Sequence, residues 1–272
     1  MRELIKSLFE LRGEMTARNK IILGAAGIAL WLITWELASR SGWFPPQATP
    51  SPLDVLATIP NMHFENALVR NVWYTLVMNV YGMMIAAAIS LPLGLLSGLL
   101  PAFRGLSAPF YVGLRFIPLP VIILPFMFMF GIGYTMKLWF LIAALSVYLI
   151  PTVIQRVDEV RQVHVNTVRT LGGSSWDVVR YVYLKEVPAK FWGDLCILTA
   201  ISWTYISFVE LINKGEGGIG ALLYTAQRQS NVAMLYALVL IIILVAIMQT
   251  FAMVQLGKIL FPYRDASKKL GG

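Results

Sequence analysis

Apolar residues in this chain come in long runs, not in strict alternation, which speaks for helices crossing a bilayer and against a sheet protein. A spanning helix needs about 20 mostly apolar residues. Six runs qualify: 20–38, 71–100, 107–131, 136–154, 191–212 and 232–256. Turn-forming or charged stretches separate them: SGWFPPQATPSP, PAFRG, GIGYT, the 155–190 segment and NKGEGG. The pattern predicts an all-α polytopic membrane protein with six transmembrane helices. Its organisation reads as a 1–19 segment, a first span over 20–38, a 39–70 loop, a 71–258 core holding the other five spans, and a 259–272 tail. The third run carries Pro118, Pro120 and Pro125 after Arg115. Prolines free backbone groups that only protein or a watery cavity satisfies inside a membrane. The run therefore reads either as a broken helix near a polar route or as a kinked packing helix.

Composition narrows the class. Of 272 residues, 58% are apolar and 13% charged, with a mean hydropathy of +0.70. A soluble domain carries about 25% charged residues, so a soluble enzyme, a disordered chain and a fibrous protein are all excluded. The net charge of +8 is mostly topology. Seventeen of the 22 Lys and Arg residues fall before the first span, after the second, in 155–190 or in the tail, and five fall on the other side. The positive-inside rule puts the seventeen, and both termini, in the cytoplasm, and turns 39–70 outward. The charge is no sign of nucleic acid.

Glu3, Glu10 and Glu14 before the first run, and ELASRSG after it, argue for a retained helix over a signal peptide. Leu4, Leu8, Leu11 and Met15 recur at helical spacing, as a short interfacial helix or a frayed terminus. Cys196 has no cysteine partner, and His63 and His164 are too far apart for metal-ligand spacing, so no metal site is expected. No phosphate loop occurs: Gly257-Lys258 is followed by Ile259. No catalytic constellation stands out, and the expectation is a protein that is not an enzyme.

The 155–190 stretch is the one long loop on the basic side. Val157, Val160, Val163, Val168 and Leu171 suggest one apolar helical face. Gly172 and Gly173 then interrupt it. Ser174, with Asp177 three residues on, forms a capping-box start for a second short helix that carries Trp176, Val179, Val182 and Tyr183 and ends near Pro188. Such a helix, glycine hinge and helix suits packing on its own membrane domain, the lipid surface or a partner's groove.

Within the spans, Glu210 shares a helical face with Trp203, Ile206 and Ser207. This is either a polar face lining a pathway or gate, or a Glu reaching the headgroups. Arg115, near the basic end, serves an anionic solute or anchors the helix. After the fifth span, Gly215, Gly217, Gly218 and Gly220 precede ALLYTA, which reads as a short re-entrant helix or a flexible linker.

The stretch VNTVRTLGGSSWDVVRYVYLKEVP resembles the cytoplasmic loop of bacterial ABC-importer permeases. Their pattern is Glu-Ala-Ala, three residues, Gly, nine residues, Ile, one residue, Leu-Pro. Aligned on Gly172, it meets Val182 and Leu184; Asn166, Thr167 and Val168 replace Glu-Ala-Ala, and Lys185 replaces the proline. TPSPLDVL, ISLPLGLLSGLLPAFRGLSAPF, RFIPLPVIILPFMFMFGIGYTMK and WTYISFVELINKGEGGIGALLYTAQ are similar, in order, to the nitrate/taurine/sulfonate subfamily, so the resemblance covers about 45–262.

The resemblance implies a type I importer permease bundle in a bacterial cytoplasmic (inner) membrane, with a second permease copy and two ATPase subunits that carry ATP and Mg. It implies a periplasmic or lipid-anchored solute-binding protein and a small anion or small organic solute, nitrate-, sulfonate- or taurine-like. Leu171, Gly172, Gly173, Ser174, Ser175, Trp176 and Asp177 would couple to the ATPase. Arg115, Pro118, Trp203, Ser207, Glu210 and Gly218 are candidates for the pathway and its outer gate. The alternatives are an ion-coupled secondary transporter or channel, or a methionine/phosphonate-type or heterodimeric permease.

Overall fold

Helices account for every regular element among the described residues of the computed structural model, which are 15–43, 45 and 48–263. The 1–14 part of the expected interfacial helix and the tail from 264 lie outside them. In chain order the helices are α1 (Ala17–Arg40), α2 (Pro52–Glu65), α3 (Leu68–Leu99), α4 (Pro101–Leu114), α5 (Ile123–Phe130), α6 (Tyr134–Asp158), α7 (Gln162–Thr170), α8 (Ser175–Ile212), α9 (Ile219–Arg228) and α10 (Val232–Leu260). Among the described residues five of them, α1, α3, α6, α8 and α10, are long and apolar enough to cross a membrane.

The expected third span, 107–131, is not one helix. It is α4, a 3₁₀ turn over Leu119–Ile122, and α5, neither helix long enough to span alone. The break sits where Pro118 and Pro120 remove amide hydrogens and disfavour helical geometry in the residue before each. Pro125 falls in the first turn of α5, where an amide has no intrahelical partner to lose.

Pro188 does not end its helix either. The preceding turn, Val179–Tyr183, is π-wound, and the Leu184 amide bonds back to the Val179 carbonyl. The widened turn lies just before the point where the proline ring crowds the carbonyl four residues earlier, and α8 runs on to Ile212. The 39–70 loop holds a helix of its own. α2 starts at Pro52 behind a Ser51–Asp54 capping box.

The core is built on α3 against α6, the most extensive helix pair in the bundle. Gly82, Ala86, Ser90, Gly94 and Gly98 recur at every fourth residue of α3. That spacing draws a stripe of small side chains down one face, the arrangement that lets membrane helices approach closely. α6 answers with Leu141, Val153 and Val157. A Cβ built on Gly82 would lie 2.7 Å from Leu141, and one on Gly98 would lie 2.8 Å from Val157. At Gly94 it would meet Val153 and come within 3.1 Å of the Ile150 carbonyl. α8 packs across this pair, and α10 lies against α8, α9 and α2. α1 is the least packed, held by Trp35, whose indole donates to the Pro50 carbonyl (3.0 Å) and whose ring meets Tyr236, and by Ser39, which donates to the Thr49 carbonyl (2.8 Å).

The α3–α6 stripe generates a paired prediction. Gly94→Ala should lower the melting temperature of the detergent-solubilised protein, with a cost of about 1–3 kcal/mol from overpacking. Gly105→Ala in α4, where nothing lies within 4 Å, should leave it unchanged or raise it slightly. Equal effects at the two sites would refute the close-packing account.

Candidate functional site

Two regions gather the residues singled out by the sequence, at opposite ends of the bundle. At the acid- and glycine-rich end, α9 begins with a structural deficit. Its N-cap is Gly218, which has no side chain to satisfy the free amides of the first turn. Three residues from other helices fill that role. Asn71 accepts from the Gly218 amide (2.7 Å), Thr75 from the Ile219 amide (2.8 Å), and Glu210 from the Gly220 amide (3.0 Å). The Thr75 hydroxyl donates in turn to the Glu210 carboxylate (2.8 Å). A carboxylate at a helix N-terminus also meets the positive end of the helix dipole.

Glycine is required here by space and by backbone. Gly217 and Gly218 have φ of +88° and +104°, in the region L side chains rarely adopt. A Cβ on Gly218 or Gly220 would collide with Glu210. Lys137, at the start of α6 and fully buried, points its ammonium at the Gly217 carbonyl (3.4 Å) and lies 5.4 Å from the centre of the Tyr74 ring. Tyr74 donates to Glu216 (3.0 Å). Thus α3, α6 and α8 all bind one short loop.

Glu210 is 0% exposed, so it does not reach a headgroup layer. Gly218 lies beside it. Trp203 and Ser207, earlier on α8, line a different feature. This is an almost wholly apolar groove of about 850 Å³ between α8 and α10, which Thr204 and Thr250 also border. The sequence missed Asn71, Thr75 and Lys137. The first two, with Asn79, recur at every fourth position of an otherwise apolar helix, a signal that was there to read. ALLYTA lies within α9, packed through buried Ile219, Leu222 and Ala226, and is not a linker.

Deeper in the bundle, a donor-only indole fixes a polar chain. Trp203 donates to the Gln249 oxygen (2.8 Å), which leaves the Gln249 amide nitrogen to donate to Asn79 (3.0 Å). Ser202 reaches the same Asn79 oxygen (3.0 Å). The Asn79 nitrogen and the Ser207 hydroxyl are buried without a hydrogen-bond partner among the described residues.

At the opposite end, α7 and the start of α8 form the hairpin foreseen around Gly172 and Gly173. Gly172 adopts φ +81°. A Cβ on Gly173 would fall 2.6 Å from the Val168 side chain. The Ser174 hydroxyl accepts from the Asp177 amide (3.2 Å), and the Asp177 carboxylate accepts from the Ser174 amide (2.8 Å), a complete capping box.

The apolar face differs from the one expected. Val165, Val178 and Val182 are buried together, with Val160 and Val168 beside them. Val163, Leu171 and Trp176 point outward, at 60%, 83% and 67% exposure. Of the expected face, Val157 is buried and Val160 and Val168 pack on this cluster, while Val165 takes the place that Val163 and Leu171 were expected to fill. Arg156 at the end of α6 clamps Asp194 of α8 with two bonds of 2.7 Å. It also binds Glu159, and that hydrogen bond holds the Glu159 carboxyl below its usual range.

Arg115 and Pro118 lie exposed at the break after α4, and the Arg115 side chain has no hydrogen bond or ion pair among the described residues. The structure does not bring them to Glu210, which sits at the far end of α8. No group of three or more His, Cys, Asp or Glu side chains suited to a metal is present among the described residues.

Comparison with known proteins adds a family-level match. Residues 90–263 match the family model described as "binding-protein-dependent transport system inner membrane component". The chain is 24% identical over 251 residues to the taurine transport system permease protein TauC of Escherichia coli (strain K12), covering 90% of each chain. It is 26% identical over 208 residues to a probable ABC transporter permease protein of Brucella melitensis, covering 74% of this chain and 83% of that one. Among solved structures it is similar to a chain of the inward-facing MetNI methionine ABC transporter (TM-score 0.60, 21% identity, 70% of this chain and 94% of that one). It is also similar to a chain of an amino acid ABC transporter with histidines (TM-score 0.56, 16% identity, 75% and 97%).

The cap on α9 is open to test. Thr75→Val removes an acceptor and a donor while keeping shape, at an expected cost of about 1–3 kcal/mol. Hydrogen exchange should quicken selectively at the Ile219 and Gly220 amides. Unchanged protection there would remove Thr75 from the cap.

Proposed function

The chain belongs to the family of binding-protein-dependent transport system inner membrane components, and from that premise we propose that it is the pathway-forming subunit of an ATP-driven importer. As a transmembrane ABC permease subunit it carries no chemistry of its own. ATP and Mg belong to a partner ATPase. Two copies of the permease, two ATPases and a solute-binding protein complete the assembly. The setting is a bacterial cytoplasmic membrane, with α4 and α5 as a broken sixth crossing and the termini inside.

The observation that carries this reading is the hairpin of α7 and the first turns of α8. It is rigid, and it exposes large apolar side chains on a cytoplasm-facing tip. Glycine geometry and the capping box fix its shape without the tip's help. Leu171 and Trp176 are therefore free to enter a partner's groove. The hairpin joins α8 without an intervening loop, so a push from the ATPase travels along the rod that lines the apolar groove. Arg156, holding Asp194, couples the same push to α6. At the far end, the last turn of α8 carries Glu210, which caps α9, and this suits α9 and its glycine loop to the outer gate.

The substrate class, a small anion or small organic solute of nitrate, sulfonate or taurine type, rests on similarity to the taurine permease. Selectivity is shared with the solute-binding protein. The apolar lining of the α8–α10 groove supports passage without tight binding. An ion-coupled transporter is less well supported, because Glu210, the buried carboxylate of α8, is already engaged as a helix cap.

The test uses the permease reconstituted with its ATPase and binding protein in liposomes, with radiolabelled taurine outside. Uptake should require ATP and the ATPase. Leu171→Asp combined with Trp176→Asp should lower uptake by about tenfold or more. The fold should survive, since exposed positions change stability by only about 0.5 kcal/mol. Uptake by the permease alone, or full uptake by the double variant, would overturn the coupling scheme.

A further inference from the structure

At the hairpin end, a pocket of about 340 Å³ opens where three parts of the chain meet. His164 of α7 forms one wall, Tyr181 of the π turn with Lys185, Glu186 and Lys190 of α8 form the second, and Tyr263 beyond α10 forms the third. The Tyr263 hydroxyl donates to the Lys185 carbonyl (2.9 Å) and closes the floor. One carboxylate serves this pocket. Glu186 takes Lys190 (2.6 Å) on one oxygen and the His164 ring (3.1 Å) on the other. The Lys185 ammonium and the Tyr181 hydroxyl have no hydrogen-bond partner among the described residues. Arg180 lies 5.6 Å from the centre of the Tyr181 ring, likewise without an ion-pair partner among them. The pocket therefore carries surplus positive charge and unused donors.

Its depth is set by the spans. Lys190 immediately precedes the apolar run that begins at Phe191, and Tyr263 lies three residues past the end of α10. Both spanning helices leave their apolar stretch at this level, which is headgroup depth. Lysine and tyrosine at such a level reach toward lipid phosphates. Basic pockets between spans on the positive side of a membrane protein suit anionic headgroups.

We propose that this pocket seats the phosphate of an anionic phospholipid headgroup, with Lys185 as its principal cation and Tyr181 as a second donor. Cationic donors to phosphate form strong, charge-assisted bonds. The walls come from the hairpin and from two spans at once, so a seated headgroup braces α7 against α8 at the π turn. The inference does not depend on what is transported.

The purified permease, in nanodiscs of phosphatidylcholine containing a minor fraction of phosphatidylglycerol, would be released into a native mass spectrometer and its retained lipids counted. The wild-type chain should keep phosphatidylglycerol in preference to phosphatidylcholine. Lys185→Gln, at an exposed position that leaves the fold intact, should weaken retention by about fivefold, and Tyr181→Phe by less. Arg161→Gln removes the same charge from an exposed site outside the pocket and should change nothing. Wild-type retention by Lys185→Gln, or equal losses at Lys185 and Arg161, would overturn the site. A second arm titrates inorganic phosphate into protein held in pure phosphatidylcholine. Lys185-dependent phosphate binding with no preference for phosphatidylglycerol would overturn the lipid assignment in favour of a soluble phosphate.

Discussion

The start of α9 cannot satisfy its own amides, and this end of the molecule is organised around that deficit. Gly218 is forced by backbone geometry and by the space Glu210 occupies, so the residue that would ordinarily cap the helix cannot do so. Asn71, Thr75 and Glu210 do it instead, which fixes the register of α3 and α8 relative to the loop. Inside a membrane an amide left without an acceptor costs several kcal/mol, so these three bonds are obligations of the fold. They also account for a fully buried Glu210 with no ion pair among the described residues. Its oxygens are met by an amide, a hydroxyl and the positive end of a helix.

That arrangement requires α3 to lie close to its neighbours along its whole length. The four-residue rhythm of Gly82, Ala86, Ser90, Gly94 and Gly98 gives it one smooth face for α6. A second four-residue series, Asn79, Thr75 and Asn71, offset by one position from the first, gives it a polar edge for α8, α10 and the loop. One helix thus supplies close packing below and hydrogen bonds above. Lipid tails are as apolar as leucine and provide no hydrophobic drive for helices to associate. Packing and hydrogen bonds must hold such a bundle together, and α3 is where both are concentrated.

Much of this was legible in the sequence, and the exceptions have physical causes. Span length, a property of composition, read correctly for α1, α3, α6 and α10. The Ser174–Asp177 cap and the glycine turn read correctly because they are local. Pro188 misled, since a helix held by its neighbours can carry an interior proline, as α3 carries Pro92 and α6 carries Pro151. The third run is the broken helix that its prolines allowed as one of two readings: hydropathy counts residues, while the closely spaced Pro118 and Pro120 interrupt the helix. The apolar face around α7 read correctly for Val157, Val160 and Val168 and incorrectly for Val163 and Leu171, because Val163 and Val165 each have an apolar neighbour three residues away. Only the partner, α8 folding back through Val178 and Val182, selects between them. Glu210 was visible, but its partners lie 135 and 10 residues away in the chain, and no local pattern encodes them.

The valine cluster selected in this way explains why the hairpin is a stiff element. Val165, Val178 and Val182 make a small core of their own, separate from the main one, and Val160 and Tyr183 pack against both. A satellite core alone would let the hairpin rock on its base. Two polar ties prevent this at either flank: Arg156 on Asp194, and Glu186 holding both His164 and Lys190. The first joins α6 to α8 and the second joins α7 to α8, so the hairpin is fixed to two long helices together. Among the described residues, the backbone between tip and span leaves α geometry at the π turn over Val179–Tyr183, so the rod that joins them is continuous but changes its winding at the level of the satellite core.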